Sequence, residues 1–143
     1  MKVAFLAILA AGMGSGAQAA TLHCAFTEPF VDIDFDTASG NVVLTTPHET
    51  DRATGKPVPT TLAENAKLVR EDAWKDFQTF YLKAGDQTIL TLQLTGQGGD
   101  GMNELMFPFE TKYSGVGGGC ETDTAPAYDL GQLYESFDIK FGN

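Results

Sequence analysis

Along much of the chain, apolar and polar residues alternate with a period of two. In VDIDFD, Val31, Ile33 and Phe35 fall on one face and Asp32, Asp34 and Asp36 on the other, which predicts a half-buried strand ending at Ser39-Gly40-Asn41. The three aspartates are spaced like the first ligands of a calcium loop. That loop needs glycine at its sixth position and glutamate at its twelfth, where this chain has Thr37 and Val43, so the strand is the better reading. Residues 42–46 complete a first hairpin. Residues 77–83 and 88–95 predict a second about Gly85-Asp86-Gln87, with Leu90, Leu92 and Leu94 sharing a face. A further strand is predicted over 106–113, between the glycine-rich loops GQGGDG and GVGGGC, the second of which presents Cys120. The terminal FDIKFG alternates Phe137, Ile139 and Phe141 against Asp138 and Lys140, mirroring VDIDFD. Pairing of these first and last strands would close a barrel and remove its exposed edges.

Two segments break the pattern. PHETDRATGKPVPTT carries three prolines and reads as a polar connector. TLAENAKLVREDAW places Thr61 and Glu64 in capping-box spacing and Leu62, Ala66, Val69 and Ala73 at helical intervals. It predicts one short helix, with a strand over 67–70 as the competing reading. The expected fold is mainly β: a small antiparallel up-and-down β-barrel with room for one short helix and one disulfide.

The first residues change the setting. Lys2, an apolar run from Val3 to Ala11 and the A-x-A site Ala17-Gln18-Ala19 read as a signal peptide over 1–19, leaving a single domain over 20–143 with no membrane anchor. Export makes Cys24 and Cys120, the only two cysteines, a disulfide with one possible intramolecular connectivity. The formal charge is −10, and losing Lys2 with the leader makes the chain more acidic still. Such a charge disfavours nucleic acid and anionic lipid and favours a basic protein or a cation.

Candidate chemistry is sparse. Of the two histidines, His23 adjoins the disulfide and His48 lies in the connector, and no G-x-S-x-G turn is present. GGDGMN lacks the G-K-[ST] ending of a phosphate loop. A copper site on a Thr21-Leu22-His23 terminus would require cleavage after Ala20 rather than Ala19. No catalytic residue, cofactor or metal is therefore expected. Most aromatic residues fall in alternating segments and read as core, whereas Trp74 and Tyr128 stand outside them as candidate contacts for a protein partner.

Two stretches, CAFTEPFVDIDF and GGDGMNELMFPFETKY, resemble the C-x-G-x-E-P-F-W and D-G-M-S-D-x-x-Y-P-F/Y segments of a family of small exported bacterial domains. Here Phe26 stands at the glycine position and Val31 at the tryptophan position. The family's layout is similar to the small β-barrels of bacterial lysozyme inhibitors, which implies fold more directly than function. The matching residues are Glu28, Pro29 and Phe30, expected to set the start of the Val31 strand, and Asp100, Gly101 and Met102, expected to form the turn before Phe107-Pro108-Phe109. These features together predict an exported, non-enzymatic binding protein whose partner is a basic envelope protein such as lysozyme. The alternatives are a carrier of a small ligand or metal and, further off, a hydrolase.

Overall fold

The computed structural model describes residues 21–28, 30–71, 78–102 and 104–129. Among these the chain forms β1 (Thr21–Phe26), β2 (Val31–Asp36), β3 (Val42–Thr45), β4 (Thr60–Ala63), β5 (Lys67–Arg70), β6 (Gln78–Ala84), β7 (Gln87–Gly98), β8 (Leu105–Tyr113), β9 (Val116–Thr122) and β10 (Tyr128–Asp129). Every pairing is antiparallel, along the path β4-β3-β2-β1-β9-β8-β7-β6-β5, with β10 added to β8.

Read as a ring, this path is an up-and-down order in which β1 meets β9 and the ladder is interrupted between β4 and β5. Each antiparallel step reverses the strand sense, so the eight steps from β4 to β5 restore it. β4 and β5 are thus two lengths of one strand, broken at Glu64-Asn65-Ala66, the first paired with β3 and the second with β6. A link of this length reaches roughly 13 Å when extended, so it holds the two edges of the sheet near each other. The sheet is rolled, but no hydrogen-bonded ladder crosses the seam.

Local geometry makes the break. Asn65 takes a positive φ of 55°, and the Ala66 N–H donates to the Gly40 carbonyl at 2.8 Å. Gly40, itself at φ 74°, passes so close that a Cβ there would stand 2.8 Å from the Asn65 Cα. Only glycine meets both requirements.

Several expectations change. Residues 60–70 form the broken strand rather than a helix. Leu62 and the buried Ala66 both reach the core, and their four-residue spacing fits two strand periods as well as a helical face. After Gly115, which turns with φ 80°, the rest of GVGGGC is not a loop but part of β9. Closure through VDIDFD and FDIKFG does not occur as expected: β2 is hydrogen-bonded on both sides, to β1 and β3, so it has no free edge. β1 and β9 close that side instead, and FDIKFG lies outside the described residues. Leu94 keeps the face of Leu90 and Leu92, in register with Phe109, but is 39% exposed at the end of the regular ladder, just before the β7–β8 register slips between Leu94 and Gly98.

The inner faces carry the core. Leu22, Cys24 and Phe26 of β1, Val31, Ile33 and Phe35 of β2, and Leu82, Leu90 and Leu92 of the β6–β7 hairpin are all buried. Cys24 and Cys120 face each other across β1 and β9 and form the disulfide, with a sequence separation of 96. Phe80 and Phe109 meet edge to face with centroids 5.9 Å apart, a preferred aromatic geometry.

A second apolar contact forms on the outer face. Gly119 points away from the core, in antiphase to Cys120, and the buried Phe107 ring lies against it. Gly98, paired with Phe107, sits where a Cβ would meet the Phe109 carbonyl. Glycines at these positions let the chain after β7 fold across the outer surface of β9 and β1.

Candidate functional site

The outer face of β2, β1 and β9 gathers the acidic residues. Its register is fixed by the inner face: with Ile33 and Cys24 buried, Asp32, Asp34 and Asp36 must point outward. Cross-strand pairing sets Asp34, His23 and Glu121 in one row and Asp32, Ala25 and Gly119 in the next. His23 Nδ1 lies 2.7 Å from an Asp34 oxygen and His23 Nε2 3.9 Å from Asp32. The hydrogen bond to Asp34 raises the His23 pKa above 6.5 against the opposing effect of burial, and the charges of Asp34, Asp32 and Glu121 add to the rise.

This shift has a measurable sign. A histidine whose pKa rises on folding contributes stability that is fully present below about 6.5 and is lost as pH rises through the folded value. NMR titration of the imidazole protons is expected to place the His23 midpoint above 6.5, and Asp34→Asn is expected to lower it. An unchanged midpoint in that variant would show that Asp34 is not the cause.

At the turn beyond β2, Asp36 accepts from the Ala38 N–H at 2.9 Å and from the Ser39 hydroxyl at 3.0 Å. The Ala38 N–H, with the Ser39 hydroxyl second, holds the Asp36 carboxyl below its usual range and keeps the charge in place. Asp51 does the same in the connector, where its carboxylate accepts from the Thr54 and Ala53 N–H groups.

The two motif segments meet at one hollow beside this face, where Asp32 and Asp100, 68 residues apart in sequence, share the lining. Glu28 takes φ 60° in the β1–β2 turn, and Phe30 emerges from it 41% exposed. The Met102 N–H donates to an Asp100 carboxylate oxygen at 2.9 Å, and Gly101 takes φ 87°, so these residues do form a turn before β8. A Cβ on Gly101 would lie 3.9 Å from the Thr27 Cβ, which sets this turn against the β1–β2 turn. The resulting hollow is about 300 Å³, open to solvent. Phe30, Met102, Pro47 and Pro57 supply apolar lining, and Asp32 and Asp100 supply carboxylates. Burial raises the Asp32 pKa; the neighbouring His23 opposes the shift, while the charges of Asp34 and Asp100 reinforce it.

Other candidates fall elsewhere. Pro108 lies within β8, next to the buried Phe107. Tyr128 is 37% exposed, and its hydroxyl donates to the Gly96 carbonyl at 2.6 Å, tying β10 back to β7. Pro29 and Trp74 lie outside the described residues. Among the described residues no cluster of three or more His, Cys, Asp or Glu side chains is arranged to hold a metal ion. No helix there is long and apolar enough to cross a membrane.

No family model, curated protein or solved structure matches the chain. The site is therefore read from its own geometry. The meeting of the two motif segments was not visible in either of them, because it depends on the chain after β7 crossing the outer face. The Asp34–His23 pair was hidden for a related reason: it joins adjacent strands in register, and neither residue marks the other in sequence.

Proposed function

We propose that this is an exported, non-enzymatic binding protein whose partner is a basic protein of the cell envelope, with lysozyme as the leading candidate. The observation that carries the reading is the acidic outer face of β2, β1 and β9, where Asp32 lines a hollow with exposed apolar walls and Asp34, Asp36 and Glu121 continue the same face. Charge of one sign on one face speeds encounter with an oppositely charged partner, and desolvated apolar residues at its centre hold the complex. A net charge of −10 acts in the same direction at longer range. The disulfide is compatible with an oxidising compartment, and the motif resemblance to exported domains fits the same setting.

The test is calorimetric binding and enzyme inhibition with c-, g- and i-type lysozymes at low and moderate salt. Binding is expected to weaken as ionic strength rises and to weaken further when Asp34 and Glu121 are changed together to the corresponding amides. Absence of both binding and inhibition at low salt for all three types would remove lysozyme as the partner.

A further inference from the structure

We infer that the hollow bounded by Phe30, Met102, Asp32 and Asp100 seats a single arginine side chain of the basic partner. This rests on the binding reading above and names the group that the site would recognise. At about 300 Å³ the hollow is at the small end of ligand sites, suited to one side chain rather than to a folded segment. Its chemistry is divided as an arginine is divided. The carboxylates of Asp32 and Asp100 line it together, while Phe30, Pro47 and Pro57 offer surfaces for an aliphatic stem and a flat cation.

Exposure supports the same occupant. Met102 is 68% exposed, the most exposed large hydrophobic among the described residues, and Phe30 in the same lining is 41% exposed. Asp100, in the same lining, is only 5% exposed. An entering group must therefore cover apolar surface and meet negative charge within one reach. A guanidinium does both, because it is planar, weakly hydrated, able to stack on an aromatic ring and able to bond a carboxylate through two N–H groups. An ammonium is a compact, strongly hydrated charge that gains less from the apolar walls. Burial first, and then the charges of Asp34 and Asp100, raise the Asp32 pKa, so a cation bound in the hollow would favour its charged form.

The experiment is a ¹H–¹⁵N NMR titration with the capped peptide acetyl-Gly-Arg-Gly-amide, with its lysine counterpart and with an all-glycine control. The arginine peptide is expected to move the amides of Phe30, Asp32 and Met102 most, and the lysine peptide to bind several-fold more weakly. Asp32→Asn and Met102→Ala are each expected to weaken the arginine peptide at least fivefold. Asp86→Asn, which makes the same charge change in the exposed β6–β7 turn, is expected to leave it within twofold. The spectra of the variants report directly whether each remains folded. If shifts centre instead on Asp34, Asp36 and Glu121, or if Asp32→Asn acts no more strongly than Asp86→Asn, the arginine seat is wrong while a basic partner still stands. If neither peptide nor any of the three lysozymes binds, both readings fall.

Discussion

Replacing Gly119 with alanine is expected to destabilise the fold by about 2 to 3 kcal/mol, which lowers the thermal midpoint by roughly 10 to 20 °C. The added methyl would stand 2.5 Å from the Phe107 Cγ and Cδ2 and 2.7 Å from its Cβ. A ring can swing aside, but the Cβ moves only with its backbone, and β8 is held there by pairing to Gly98 of β7. Gly118→Ala meets the Phe26 ring at 2.4 Å and the Ala25 carbonyl at 2.7 Å on the inner face, so it is expected to be costly for a different reason. A double-mutant cycle separates the two. Gly119→Ala is expected to cost markedly less in a Phe107→Gly background, which removes the Cβ as well as the ring, whereas Gly118→Ala costs the same in both. Equal costs for Gly119→Ala in the two backgrounds would mean that the Phe107 side chain does not set the requirement for glycine.

Removing the disulfide has the largest expected effect. With a sequence separation of 96, the bond withdraws about 4 to 5 kcal/mol of loop entropy from the unfolded chain. The paired change Cys24→Ala with Cys120→Ala also empties two positions that are 0% exposed, leaving a gap in the core. Thermal unfolding is expected to move down by roughly 20 °C or more. Because much of the effect lies in the unfolded chain, which expands once released, the denaturant slope is expected to rise as well. A fall in stability with no change in slope would place the contribution in the native core rather than in the unfolded state.

The parts of the fold that could be read in the sequence are those in which one face is buried and the alternation is uninterrupted. β2 is an example: its three apolar and three acidic residues leave one register open. β9 could not be read this way because Gly117, Gly118 and Gly119 carry no side-chain signal. Gly118 and Gly119 answer to Phe26 and Phe107, which press on them from opposite faces. The stretch from Thr60 to Arg70 misled for the opposite reason: the four-residue spacing of Leu62 and Ala66 is shared by a helix and by a strand, and the exposed Val69 shows that the helical face does not continue. The site was legible in pieces. Phe30 and Met102 belonged to recognisable motifs, yet their common hollow comes from the sheet order and from glycines that allow one segment to cross another.

The strand path also divides the chain into two consecutive halves. β1 to β4 form one meander and β5 to β9 another, and the halves meet at the β4–β5 link and again at the β1–β9 pair. Every other pairing on the path joins neighbours in sequence, so most of the sheet can assemble locally, while the β1–β9 contact must close almost the whole described chain. Once Cys24 and Cys120 are joined, the backbone between them becomes a covalent ring that encircles the rolled sheet, the link at one junction and the bridge at the other. A single protease cut in the exposed 47–59 connector opens that ring without separating the halves, because β1 remains bonded to β9. Such a nicked molecule would keep both motif segments attached to the same face.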